Sequence, residues 1–301
     1  MPARPRRPER EPRTSDLAPT FSRGPREQEF GRPPLRLFTT TLWDYPSQHY
    51  DAWFDEQGKI HRSSFAGRGP AMQGSKHYIG ATPSWVIWQC LMRYTNPGDV
   101  VLDPMVGSGT TIDVCKDLGR TPLCFDLVPS RPDIRQADAR RLPVQPRKAD
   151  FVFIDPPYST HIDYSDNPTC IGKLDAGGPD DGVAYYEAMD EVFAQLRRAL
   201  KPGGHMALYV SDSFRKTRGK PGGTFMPIGL SLLKILIDQG FEPVDIISVV
   251  RYNQKLEKGN FRKAAEEGNF FLRGFNYLFI VKETDDLPEA DEETLEELQG
   301  E

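Results

Sequence analysis

Leu102-Asp103-Pro104-Met105-Val106-Gly107-Ser108-Gly109-Thr110-Thr111 decides the fold. A strand is predicted over 99–104, apolar until it ends in a carboxylate. Two glycines then let the backbone turn tightly against a ligand, and a helix follows over 110–118, stopped by Gly119. A dinucleotide site would require a third glycine in G-x-G-x-x-G, and a P-loop would require Gly-Lys-Ser/Thr; the stretch has neither. What remains suits a ligand that offers an ammonium group and an adenosine to an acid and a close backbone.

Working outward, strands and helices alternate. Ser84–Tyr94 reads as a helix ended by Asn96-Pro97-Gly98. Strands are predicted at Thr121–Asp126, 134–137 and 149–155, the last apolar throughout and therefore central. An amphipathic helix over 185–200 stops at Lys201-Pro202-Gly203-Gly204. Strand 205–210, helix 227–239 and a closing pair at 244–252 and 276–282 complete the pattern, with 253–270 as a polar connection. Such alternation predicts an α/β fold built on a doubly wound, mostly parallel sheet.

Two acids fall in register with the glycine-rich turn. Asp126, at the end of the second strand, is placed to accept from both hydroxyls of a ribose, and Asp138 from an adenine amino group. Asp155-Pro156-Pro157-Tyr158 ends the buried fourth strand. Prolines have no amide hydrogen, so their carbonyls are open to a substrate donor. With the carboxylate they can hold an amino group by its hydrogens while Tyr158 presents a flat face. Those bonds draw the nitrogen lone pair out of conjugation and toward an incoming electrophile.

In these motifs the chain resembles the amino-methyltransferases that make N6-methyladenine or N4-methylcytosine in DNA. Residues 103–111 and 155–158 match the family's two motifs residue by residue, in one of its known orders. Ala81-Thr82-Pro83-Ser84 is similar to the segment that completes the cofactor pocket, and 200–204 and 271–282 are similar to later parts of such enzymes. The resemblance spans 40–282. It implies S-adenosylmethionine as cofactor, base extrusion from the stack, and a Rossmann-like seven-stranded sheet with helices on both faces. It places the cofactor at Thr82, Pro83, Asp103, Pro104, Gly107, Gly109, Thr110, Thr111, Asp126 and Asp138, and catalysis at Asp155, Pro156, Pro157 and Tyr158. Aspartate at the head of the second motif leans toward adenine N6, where serine leans toward cytosine N4.

Two departures stand out. Met105 occupies a position where related proteins often carry Phe, and no separate target-recognition domain is visible. The candidates for that task are 159–182, the loop 213–224 and 253–269. Ser159, His161, Tyr164, Arg215 and Lys216 are the expected substrate contacts, and the basic loop Arg215–Lys220 suits phosphates. DNA is the expected partner. RNA, methylated at guanine N2 or adenine N6, is an alternative, as is a noncatalytic nucleic-acid-binding subunit of this fold. Methylation at cytosine C5 is excluded because its cysteine nucleophile typically follows proline and no Pro-Cys dipeptide exists.

Charge separates the chain into three parts. Residues 283–301 hold ten acids and no Lys or Arg, and residues 1–36 hold nine Arg against five acids. The net charge of -5 is therefore a property of the tails, read as a disordered arm (1–36) and a disordered acidic tail (283–301) around one domain at 37–282. Cys90, Cys115, Cys124 and Cys170 show no C-x-x-C pair and read as reduced thiols of a cytoplasmic protein, the first three buried. His49, His61, His77, His161 and His205 lack metal-ligand spacing, so no metal is expected. Trp43, Trp53, Trp85 and Trp88 read as core anchors. No apolar stretch suits a secretory signal or a membrane span. A monomer and a homodimer are both compatible with the sequence.

Overall fold

This computed structural model describes residues 34–46, 49–50, 52–55, 57–62, 73–75, 78–178, 180–217, 220–251 and 260–284. Most of the arm and the acidic tail, at 1–33 and 285–301, lies outside the described residues, as do His77 and 252–259.

The strands are β1 (Leu42–Trp43), β2 (Ala52–Phe54), β3 (Ile60–Arg62), β4 (Val100–Asp103), β5 (Thr121–Asp126), β6 (Arg135–Gln136), β7 (Ala149–Ile154), β8 (Leu200–Val210), β9 (Ser213–Thr217), β10 (Lys220–Met226), β11 (Phe241–Val250) and β12 (Phe275–Glu283). The helices are α1 (Ser84–Tyr94), α2 (Thr110–Asp117), α3 (Val183–Ala199), α4 (Ile228–Asp238) and α5 (Asn260–Gly268). Eight strands form one sheet in the order β6-β5-β4-β7-β8-β12-β11-β1. It is parallel from β6 to β8, and β12 then runs antiparallel to both β8 and β11. Seven strands were implied; β1 adds an eighth, pairing Leu42 with Ser248 and Trp43 with Val249.

Burial on both faces explains the central strands. Along β7, Phe151 and Phe153 point into one core with Trp85, Trp88, Val114 and Cys115, while Val152 and Ile154 point into the other with Met189, Phe193, Leu196 and Leu232. α3 presents Tyr185, Met189, Val192, Phe193 and Leu196 to the second core, the spacing of one helical face. The four tryptophans are all buried, and so are all four cysteines, Cys170 included. No described helix is long and apolar enough to cross a membrane.

Three local expectations are corrected. The loop expected at 213–224 is a hairpin: β9 pairs antiparallel with β10, and the rings of Phe214 and Phe225 meet across it at 5.5 Å. That cross-strand pair outweighs the glycines that suggested a loop. The polar connection 253–270 contains α5, steadied by the i,i+4 pairs Arg262–Glu266 and Lys263–Glu267. The glycine-rich stop after α3 ends the helix but starts β8 at once, since Leu200 already pairs with Ala149 before a register shift. The packed body also reaches beyond 37–282. Leu35 is fully buried, exchanging backbone hydrogen bonds with Ala52 and Phe54, and Glu283 is buried in β12.

The chain leaves β4 toward β5 and β6, then returns to build β7 and β8 on the opposite side. The strand order thus reverses between β4 and β7. A parallel sheet opens a crevice at the carboxyl ends of its strands at that point.

Candidate active site

The crevice is a cleft of about 720 Å³, open mouth included. Thr82, Pro104, Gly107, Asp126, Asp138, Asp155, Pro157 and Tyr164 line it, all expected from sequence, together with Tyr78, Met105, Ala137 and Ala139.

The glycine-rich turn shapes one wall. Gly107 has φ +51, and a Cβ there would sit 3.0 Å from the Tyr78 ring. Gly109 has φ +82 as the N-cap of α2, and a Cβ there would meet the Arg131 guanidinium at 2.5 Å. Both positions require glycine. Asp103 does not line the cleft. It is buried beneath the turn, accepting from the Thr111 hydroxyl at 2.5 Å and the Met105 amide at 3.0 Å. Burial pushes its carboxyl up to about 7. Gly109, Thr110 and Thr111 likewise buttress the turn from behind. Thr110 shares a 2.8 Å hydrogen bond with Ser108.

Asp126 accepts from the amides of Gly107 at 2.9 Å and Val128 at 3.0 Å. Burial raises its carboxyl above the ordinary value, those amides opposing. Asp138 takes the Arg140 backbone amide at 3.0 Å and the guanidinium at 3.0 and 2.6 Å. Burial works against its charge, but Arg140 outweighs burial and holds the carboxyl below its usual range. Each carboxylate has about four lone-pair sites, so both retain capacity for a ligand.

Across the cleft, Asp155 follows β7. Thr82 donates its hydroxyl to Asp155 Oδ2 at 2.6 Å, and Tyr158 donates to Oδ1 at 2.5 Å. The carboxylate keeps an open side toward the cleft, yet desolvation pushes it up to about 7 against those two bonds. Thr82 thus joins the segment before α1 to the motif after β7. Pro83, the next residue, is the N-cap of α1 and lies outside the cleft lining. The Pro157 carbonyl is already taken by the Tyr185 hydroxyl at 2.8 Å. Pro157 lines the cleft, whereas Pro156, which is buried, and Tyr158 lie outside the cleft lining.

The expected substrate contacts divide. Tyr164 lines the cleft, its ring 6.5 Å from that of Tyr78. Ser159 is buried with φ +61, donates to Asp175 at 3.2 Å and accepts from the Ala176 amide at 2.9 Å. It holds a turn and does not face the cleft, because a buried hydroxyl must satisfy both of its roles internally. His161 bonds Ser213 Oγ at 2.8 Å, and its imidazole is held below its usual pKa by burial and by Arg251. Arg215 donates to the Gly177 carbonyl at 2.5 Å and lies near Asp175. Lys216 is in β9. His161 and Arg215 stand around the hairpin, outside the cleft lining.

Sequence reasoning missed Tyr78 and Tyr185. Tyr78 lies in a stretch without periodicity, and nothing local points to it. Tyr185 reads simply as an apolar position of α3; only its hydroxyl's contact with Pro157 reveals more.

A family model described as DNA methylase matches residues 20–134 and 149–298. Among solved structures, a SAM-dependent methyltransferase of Methanosarcina mazei shares 12% identity over 65% of this chain and 97% of its own, with a TM-score of 0.41. A Thermus thermophilus protein named as a candidate DNA modification methylase, in complex with S-adenosyl-L-methionine, shares 17% over 53% of this chain and 59% of its own, with a TM-score of 0.35. TrmN of Thermus thermophilus shares 19% over 68% of this chain and 50% of its own, with a TM-score of 0.41. At these scores the structural likenesses add no argument, and the family match stands by itself.

Proposed function

The chain belongs to the N6/N4 DNA methylase family, whose methyl donor is S-adenosylmethionine, and from that premise we propose that it methylates an exocyclic base amine in DNA, adenine N6 ahead of cytosine N4. One observation carries the reading. Asp155 opens onto the same cleft as Gly107 and Asp126, with its carboxylate aimed by Thr82 and Tyr158.

The cleft suits the cofactor: Gly107 leaves the wall free of a side chain, Met105, Ala137 and Ala139 add apolar surface, and two carboxylates face in. Asp126 would take the ribose hydroxyls and Asp138 the adenine amino group. S-adenosylmethionine supplies a methyl carried on an electrophilic sulfonium. Asp155 and the Pro156 carbonyl accept the two hydrogens of the base amine and turn its lone pair toward that methyl. The spare lone pairs of Asp155 let it do this without losing both hydroxyl donors. Tyr158, which hydrogen-bonds Asp155 through its hydroxyl, offers its ring to the base. No covalent enzyme intermediate would be required; the amine nitrogen would take the methyl as the sulfonium–methyl bond breaks and a neutral thioether leaves, and the methylated amine would then give up one proton. Asp155, pushed up to about 7, can hold that proton on its way to solvent.

The test is incubation with isotopically labelled cofactor and separate DNA and RNA pools, followed by nucleoside analysis. Label in N6-methyladenine from DNA is expected. Label in N4-methylcytosine moves the base, label confined to RNA moves the polymer, and label in neither pool supports the noncatalytic reading instead.

A further inference from the structure

His161, three residues beyond Tyr158, bonds Ser213 at the root of the β9–β10 hairpin. That contact ties the catalytic motif to a surface the cofactor cleft does not use. The hairpin, α5 and the chain entering β12 meet there: the Phe214 ring lies 6.2 Å from that of Phe270, and the Arg273 guanidinium covers the rings of Phe214 and Phe225 at 4.7 and 5.0 Å. Arg273 Nε has no hydrogen-bond partner among the described residues, while a terminal nitrogen donates to the Phe271 carbonyl at 2.8 Å, so that carbonyl and the rings together hold the guanidinium. Phe271 is 87% exposed, and Phe225 and Phe275 are exposed at 44% and 40%. A large aromatic so exposed costs solvation unless something covers it.

Charge identifies the occupant. Residues 213–226 carry four Lys or Arg and no acid, whereas the rest of 37–282 carries 25 basic against 28 acidic residues. Arg251, exposed at the end of β11, stands on the same edge, its guanidinium 3.4 Å from Ser211. Cations interleaved with exposed aromatic rings fit phosphates and unstacked bases better than they fit an apolar protein face. The edge is also the correct one: β8 pairs with β7 up to Leu208–Ile154, so the hairpin that follows β8 springs from beside Asp155.

We infer that the β9–β10 hairpin, Arg251 and the Phe270–Arg273 segment form the surface on which duplex DNA docks beside the catalytic motif. This rests on the function proposed above. It gives the task of a separate recognition domain to two segments in the sheet's closing half. Cations there engage the phosphates on either side of the target, and Phe271 stacks against a base at the opened position.

The test uses the full chain and a fluorescently labelled pool of the duplex DNA that the wild type methylates. Phe271→Ala should weaken binding by anisotropy on the order of tenfold, the scale of one lost stacking contact. Arg251→Ala should weaken it several-fold and make the dependence of log Kd on log salt shallower by about one phosphate's share. Both variants should bind S-adenosylmethionine as the wild type does in calorimetry. Since Phe271 is exposed, its truncation removes little packing. Unchanged Kd and KM for DNA in both variants, with a wild type that methylates DNA, would overturn the surface while leaving the function standing. A wild type that methylates only RNA overturns DNA as the occupant. A wild type that methylates no nucleic acid overturns the function itself.

Discussion

In the β4–β5 half of the sheet, Asp126 is held by the amides of Gly107 and Val128, 19 and 2 residues away, and Asp138 by Arg140, 2 residues away. In the β8–β12 half, His161 reaches Ser213 across 52 residues and Asn276 reaches Tyr209 across 67. At Asp126 and Asp138 the first half fixes its polar groups with backbone amides and near neighbours, so short motifs carry most of their geometry. The second half fixes them by pairing side chains from remote segments, and no motif records it. Asp155 stands on the seam. Its neighbours Pro156 to Tyr158 are local, but the Thr82 hydroxyl that aims it comes from 73 residues earlier.

The largest expected effect lies on that seam. Asp155→Ala should lower the methylation rate on the order of 10³-fold, the scale of losing one preorganised electrostatic partner. Affinity for S-adenosylmethionine by calorimetry should stay near the wild type, and a variant that turned over at the wild-type rate would remove Asp155 from the chemistry. The wild-type kcat should also depend on pH in a specific sense. Because desolvation raises the Asp155 pKa to about 7, the acceptor is protonated below that value; kcat should rise with pH up to about 7 and then level off. A profile flat from pH 5.5 to 8.5 would break this link.

On the local side, Asp126→Ala should weaken cofactor binding about thirtyfold, the cost of a charged acceptor lost from a ligand and from the Gly107 amide together. Unchanged affinity would remove Asp126 from the site. Gly107→Ala should weaken it about tenfold, since alanine pays roughly 1–2 kcal/mol at positive φ and its methyl meets the Tyr78 ring. Binding at the wild-type level there would show that Tyr78 moves aside freely.

The smallest effect probes the remote contact on Asp155. Thr82→Val keeps the side-chain shape and deletes the hydroxyl, and kcat should fall about fivefold, the scale of one hydrogen bond. Since that bond lowers the Asp155 pKa, the bend in the pH profile should move to higher pH. A lower kcat with an unmoved bend would make Thr82 a packing residue only.

Much of this was legible in the amino-acid order. Ser84–Tyr94, Thr121–Asp126 and the helix and strand boundaries around the glycine-rich turn stand where periodicity and stop signals put them. Gly107, Asp126, Asp138 and Asp155 do face one cleft. Ser159 and Asp103 were misjudged in the same way: a polar residue beside a motif reads as a ligand contact, and only burial reveals that it braces the turn. The β9–β10 hairpin was missed because its glycines speak locally while the Phe214–Phe225 pairing that holds it is a cross-strand contact.

The sequence alone determined the α/β fold and that Asp126, Asp138 and Asp155 face one cleft, because backbone turns and strand ends are dictated by neighbours in the chain. Only the tertiary structure decided that Tyr185 bonds the Pro157 carbonyl, which hydroxyls aim Asp155, and where aromatic rings and arginines gather beside it. Those outcomes depend on which distant side chains the sheet brings within hydrogen-bond reach, and no local pattern encodes that distance.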